Sequence, residues 1–330
     1  MTQSFPANLL IYSRLIATFA IHFIQLEMLF IAAPLQGFTQ APWRAIHSGM
    51  FPGAVDEYFT PFMRLESGEP RARDLRDITD CRNPTVQVIA RDAGEFAVLT
   101  EAAVAAGATR IDLNAGCPYP MVTRKGRGAA LIENPEALSA IGEEMRKWPE
   151  VGFSMKMRLG TENPEAWRSS ADAIAAMPLR LLTVHPRVAR QLYSGDLFME
   201  EFSELLKTSA HPVIFNGEMA TPGDIRRITD SFPGIAGVMC GRGLLRRPTL
   251  ASEWKAGADA SEADRHHASV EILTRLFMHY SSTLCGPSHI LSKIKPFTEY
   301  LDADLFDKKA LKALRKAPTP DRFHSLLASL

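Results

Sequence analysis

Eight short apolar runs, strung along about 220 residues with helix-like stretches between them, constrain this chain more than any other feature. They are LFIAAP (29 to 34), AVDEYF (54 to 59), TVQVIA (85 to 90), RIDLN (110 to 114), GFSMKM (152 to 157), RLLTVH (180 to 185), PVIFN (212 to 216) and GVMCG (237 to 241). Each is short enough to be a buried strand. The stretches between them, such as GEFAVLTEAAVAAGA, carry apolar residues at helical spacing, and that one ends near Gly107, a residue suited to cap a helix C-terminus. Such alternation calls for parallel βαβ units, and eight of them close into a (β/α)₈ TIM barrel over residues 28 to 250. After GRGLLRRPTLASEW the rhythm changes. Residues 256 to 330 show only helical patterns and are expected to form a small C-terminal all-helical domain.

The N-terminal segment NLLIYSRLIATFAIHFIQLEMLF is apolar, but Arg14, His22, Gln25 and Glu27 interrupt it. Its longest clear run, Leu15 to Ile21, falls far short of the ~20 apolar residues a membrane span needs. No small-residue cleavage site precedes Glu27. Met28 is therefore the expected natural start, with residues 1 to 27 an upstream extension. Formal net charge is zero, so no global field draws the protein to nucleic acid and any basic footprint must be local. The four cysteines, Cys81, Cys117, Cys240 and Cys285, lack paired spacing, which speaks against a disulfide framework or a zinc site and for a reducing, cytoplasmic compartment. Neither a metal nor a membrane is expected.

In barrels of this kind chemistry sits at the C-terminal ends of the strands. Reading along the runs, those ends carry Gln36, Glu57, Gln87, Asn114, Cys117, Lys156, Arg158, His185, Arg187, Asn216, Glu218, Gly241 and Arg242, all expected to converge on one mouth. Lys156 and Arg158 alternate with Met155 and Met157, so a positive side chain points into the mouth, where its burial calls for an anion. The NGE and GRG tripeptides after the last two strands offer small residues and free backbone N–H groups at the usual phosphate site of this architecture. An amide-rich rim of Gln87, Asn114 and Asn216 with Lys156 suits a flavin, and no glycine fingerprint for a tightly held nicotinamide is present. Cys117, between Gly116 and Pro118, reads as an exposed thiol on a rigid bend. With no cysteine-hydrolase signature and no second thiol nearby, it is better suited to donate a proton than to attack.

Taken in order and spacing, AAPLQGFTQAPWR, PTVQVIA, IDLNAGCPYPMV, KGRGAALI, MKMRLG, LTVHPR, VIFNGE and VMCGRGLL resemble the tRNA-dihydrouridine synthase family over about residues 29 to 250, the LNxGCP element being the most specific part. SHILSKIKPFTEYL is similar to the family's RNA-binding helical domain, most nearly that of its C-type subfamily. The resemblance implies tightly bound flavin mononucleotide and reduction of the C5–C6 double bond of uridine in tRNA. Hydride would pass from reduced flavin to C6 and a proton from Cys117 to C5, with NADPH recharging the flavin. Carried over by position, the flavin contacts fall on Pro34, Leu35, Gln36, Gln87, Lys156, His185, Asn216, Gly217, Glu218, Gly241 and Arg242. Asn114 and Arg158 fall at the target uridine.

Extracting that base from its stack needs backbone contacts. These are expected from Arg124, Lys125 and Arg127 behind the cysteine, Arg246 and Arg247 after the eighth strand, and Lys293 and Lys295 in the helices. A monomer is expected, and the C-type likeness points to position 16 of the D-loop. The chain departs from the family where Pro120 stands in place of a common lysine and where Pro186 removes a backbone donor. Another flavin barrel of the dihydroorotate dehydrogenase kind, a Schiff-base aldolase built on Lys156, and a tRNA-binding factor without catalysis remain open at this point.

Overall fold

The computed structural model describes residues 28 to 79 and 83 to 330. The expected extension over residues 1 to 27 and Cys81 lie outside the described residues. The described residues form ten strands: β1 (Leu29–Ala32), β2 (Glu57–Tyr58), β3 (Leu65–Glu66), β4 (Glu69–Pro70), β5 (Val86–Val88), β6 (Arg110–Ala115), β7 (Gly152–Arg158), β8 (Leu179–His185), β9 (Val213–Asn216) and β10 (Gly237–Cys240). Eight of them pair in the order β2-β1-β10-β9-β8-β7-β6-β5, with parallel register throughout. Parallel bridges from Phe59 to Thr85 and from Met63 to Val88 join the two ends. The fold is a TIM barrel, and each of the eight apolar runs supplies one of its strands.

The antiparallel hairpin of β3 and β4 and the helix Ala72–Thr79 behind it break the simple alternation. The hairpin carries exposed glutamates instead of alternating apolar residues, so no period-two signal marks it. Elsewhere local chemistry sets the boundaries. The Asp92 carboxylate accepts from the Glu95 amide at 2.9 Å to open the helix Ala93–Ala105. Gly107, at φ +92°, ends it as anticipated.

The alternation of side chains along each strand divides the core. Phe30, Val86, Ile111, Leu113, Met155 and Met157 point outward and pack under the helices. Inside the barrel, Ile31, Ala33, Phe59, Leu181, Ile214 and Met239 form a separate apolar cluster. On β5, β6 and β7 the corresponding inward positions carry Gln87, Asp112, Ser154 and Lys156 instead. The barrel interior is therefore apolar on one side and polar on the other, and the polar side leads up to the mouth.

Beyond the barrel lie helices Glu262–Thr283, Pro287–Ile294, Lys308–Arg315 and Pro320–Leu327, with a 3₁₀ turn at Lys295–Tyr300. Their apolar faces (Leu276, Phe277, Ile294, Leu314, Phe323, Leu327) belong to the same packed cluster as the outer layer of the barrel. Phe38 stands edge-on to Phe297 at 5.2 Å and to Tyr300 at 5.1 Å, which seats this helical segment beside the mouth. Among the described residues no helix is long and apolar enough to cross a membrane.

Candidate active site

The C-terminal ends of the barrel strands open into a cavity of about 520 Å³, within the range of small-molecule sites. Pro34, Leu35, Gln36, Gln87, Asn114, Cys117, Lys156, Arg158, His185, Asn216, Gly217, Glu218, Gly241 and Arg242 all line it. Tyr300, Leu301 and Arg315, from the C-terminal helical segment, close one wall.

Lys156 faces the cavity from β7. Among the described residues no hydrogen bond or ion pair reaches its ammonium. Burial, helped by the neighbouring Arg158 charge, lowers its pKa from 10.5 to about 8. An unpaired ammonium half-buried at the edge of the cavity is costly, so a ligand carbonyl or anion is its natural partner. His185 is held well below its ordinary 6.5, first by burial and then by the charges of Lys156, Arg158, Arg187 and Arg242, and its imidazole is neutral.

Cys117 corrects one expectation. The thiol is not exposed: the residue keeps only 7% of its surface. The glycine-rich loop behind it folds back over the turn, where the Ala129 amide donates to the Cys117 carbonyl at 3.1 Å. Gly128 packs there at φ +61°. Burial raises the thiol pKa above its ordinary 9.0, so the group is protonated at neutral pH. It still borders the cavity.

Asn114 borders the cavity and also holds the cysteine turn. Its Oδ1 accepts from the amides of Gly116 at 3.1 Å and Cys117 at 2.9 Å, and its Nδ2 donates to Gln87 Oε1 at 2.8 Å. The side chain thus ties the cysteine turn to Gln87 at the edge of the cavity. Gln87 Nε2 donates to Asp112 Oδ2 at 2.8 Å, and Ser154 Oγ donates to Asp112 Oδ1 at 2.7 Å. Neither Asp112 nor Ser154 was singled out from the sequence. The available signal was their position, two residues before Asn114 and Lys156 on alternating strands.

The rim is built around Tyr193. Arg158 and Arg242 lie 5.3 and 4.8 Å from its ring centroid, and Tyr119 stands 6.5 Å away. Arg158 is further braced by donation to the carbonyls of Val188 at 2.9 Å and Leu192 at 2.5 Å. Tyr119, Met121, Leu192 and Tyr193 are exposed there, an apolar rim the run pattern did not reveal. Glu218, expected at the cofactor, accepts from Arg187 at 2.6 Å and Arg242 at 2.9 Å. Its carboxylate orients two arginines. Asn216 Nδ2 donates to the Met239 carbonyl at 2.7 Å and ties β9 to β10. A Cβ on Gly243 would collide with the Met219 carbonyl oxygen, which explains glycine in the loop after β10.

The expected basic contacts separate. Arg124 and Lys125 are exposed beyond the short helix Pro120–Thr123. Arg127 instead forks onto Glu95 at 2.8 and 2.5 Å. Arg246 borders the cavity and bonds Asp302 at 2.7 Å. Arg247 is buried against Glu253 and serves the fold. Lys293 donates to Gln40 at 3.0 Å in a neighbouring pocket, and Lys295 borders another beside Arg315. Glu57 is not at the mouth at all. It opens β2 and pairs with Arg180, with Arg110 4.0 Å away, both near strand starts at the opposite end of the barrel. Among the described residues no group of side chains is arranged to hold a metal ion.

A family model described as dihydrouridine synthase matches residues 31–308. The chain is 32% identical over 248 residues to tRNA-dihydrouridine synthase B of Yersinia pestis, a match covering 73% of this chain and 75% of the relative. It is 29% identical over 310 residues to tRNA-dihydrouridine(16) synthase of Aquipseudomonas alcaligenes, covering 90% of this chain and 98% of the relative. These two are named as B-type and position-16 enzymes, not as C-type. Among solved structures, morphinone reductase superposes with a TM-score of 0.50 at 14% identity over 72% of this chain and 89% of that one, a likeness of fold alone.

Proposed function

The chain belongs to the dihydrouridine synthase family, and on that premise we propose that it reduces uridine to 5,6-dihydrouridine in tRNA with a bound flavin. The observation that carries this reading is the pairing of an unpartnered Lys156 ammonium with a protonated Cys117 thiol around one cavity. The donor set fits flavin mononucleotide. Lys156 and the side-chain amides around it suit ring carbonyls and nitrogens, and the loops at Gly217 and at Gly241 to Gly243 border the same cavity where a phosphate would sit.

When bound, the flavin supplies hydride to C6 of the base, replenished by NADPH. Cys117 supplies the proton to C5, and its burial keeps the thiol charged with that proton at neutral pH. Arg158, fixed by two backbone carbonyls, supports the pocket wall from which Tyr193 projects. Tyr119 and Tyr193 present aromatic faces to a base drawn out of its stack. Arg124 and Lys125, exposed next to them, meet the RNA backbone, and the helices of residues 256 to 330 extend that surface. Tight flavin binding, a monomer and a cytoplasmic setting belong to the same reading. Position 16 is supported by the match along nearly the whole of a relative whose name carries that position.

The test begins with an absorbance spectrum of the purified protein between about 300 and 550 nm, followed by NADPH. Flavin bands that bleach, and dihydrouridine missing from position 16 of tRNA in a deletion strain, are the expected results. A colourless protein that flavin mononucleotide cannot reconstitute overturns the reading.

A further inference from the structure

Asp112 lies with Ser154 below the mouth on the polar side of the barrel. It is 0% exposed and does not border the cavity. Gln87, Asp112 and Ser154 sit opposite one another on β5, β6 and β7, and their side chains join with Asn114 into one line of hydrogen bonds that ends on the Cys117 amide.

The polarity of that line follows from its two ends. An ionised carboxylate only accepts hydrogen bonds, and a backbone N–H only donates. Between them stand two side-chain amides, each of which could be turned either way. With both Asp112 oxygens accepting, Gln87 must present Nε2 to it and leave Oε1 toward Asn114. Asn114 must then present Nδ2 to Gln87, which leaves Oδ1 for the amides of Gly116 and Cys117. Ser154 imposes nothing, because a hydroxyl rotates to donate or accept.

We propose that Asp112 is a positioning residue for Cys117: its acceptor-only carboxylate sets the amide orientation of Gln87, and through it that of Asn114, and so holds the turn that carries the thiol. The carboxylate is kept although burial raises its pKa to about 6, and the Lys156 and Arg180 charges favour its ionised form. A residue serving only to fill space would be better replaced by an apolar one.

The inference rests on the proposed reading for its consequence in turnover, but the turn can be probed without RNA. Purified full-length protein, with whatever flavin it retains, is treated with iodoacetamide, and alkylation is followed by mass spectrometry on the Cys117 peptide. Asp112→Leu removes the acceptor while keeping the branched outline of the side chain, with methyl groups in place of the two oxygens. It is expected to change the Cys117 alkylation rate about tenfold as the turn loosens. Asp112→Asn should restore it to within about twofold, because its oxygen can face Gln87 while its amide donates to Ser154. Gln87→Met, which breaks the line one step later, should reproduce the leucine effect, and the double variant should add nothing further.

Should Asp112→Leu fail to fold, the smaller Asp112→Ala takes its place, and Gln87→Met shows whether the effect passes along the line. An unchanged alkylation rate in a folded variant overturns the proposal, and so does an Asp112→Asn variant as altered as the leucine one. In turnover, kcat for dihydrouridine formation should fall about tenfold or more in Asp112→Leu with KM for tRNA unchanged. A fall in kcat without any change in alkylation also overturns it. Wild-type protein that makes no dihydrouridine overturns the functional reading, while the alkylation result still decides the relay.

Discussion

Gly128 packs so closely on Cys117 that a Cβ at Gly128 would lie 2.5 Å from the Cys117 carbonyl oxygen and 2.9 Å from its Cβ. The glycine-rich loop is therefore the lid of the cysteine turn as well as its sequel in the chain. Gly128→Ala would meet both that overlap and a left-handed φ of +61°. It is expected to destabilise the protein by about 1–3 kcal/mol and to cut dihydrouridine formation at least about tenfold by displacing the thiol. Thermal melts and product assays check this, and a wild-type rate would show that the loop yields.

Lys156→Met should stabilise the flavin-free protein at pH 7 while abolishing flavin binding. The folded-state pKa, about 8, lies below the ordinary 10.5, so the folded chain binds fewer protons between those values. Stability from this group accordingly rises as pH increases through that window, and at pH 7 the buried charge costs at most roughly 3 kcal/mol. The higher melting temperature of the variant should shrink toward that of the wild type by pH 10. A variant less stable than wild type at pH 7 would mean that the ammonium is already satisfied.

Flavin affinity should depend on pH in the opposite direction. Below pH about 8 Lys156 is charged and Kd should be flat, and above it Kd should climb as the free ammonium loses its proton. Burial raises the Cys117 pKa above its ordinary 9.0, so the thiol keeps its proton through the step expected at about pH 8. Titration of apoprotein by flavin fluorescence between about pH 6 and 10 measures the curve. A Kd that stays flat throughout would remove Lys156 as the partner of the cofactor.

Arg124 and Lys125 should behave differently from Arg127 although all three lie in one loop. Replacing the first two with alanine is expected to weaken tRNA binding and to make the dependence of log K on log salt shallower by about 1.5. Arg127→Ala should leave that slope unchanged and lower stability by about 1–3 kcal/mol, because its guanidinium is spent on Glu95. Filter binding over a salt series and thermal melts separate the two effects.

Strand and helix patterning, the glycine that ends the helix Ala93–Ala105, and the polar residues closing the apolar runs could all be read along the chain, because each depends on near neighbours. That reading placed Cys117, Lys156, His185 and Asn216 around one cavity, and the structure agrees. Glu57 was misplaced because a two-residue strand gives no internal sign of which end of the barrel its first residue occupies. The sequence gives no sign that the thiol is covered, because Gly128 and Ala129 close on it through space.

The pairing of polar side chains is the least legible property of all. Arg127 meets Glu95 and Asn114 meets Gln87 across 32 and 27 positions of chain, and Asp112 looked like any acid in a strand until Gln87 and Ser154 closed on it. Period and turn chemistry are short-range and so belong to the sequence. Which donor meets which acceptor depends on strand register and loop closure, and only the tertiary structure decides it.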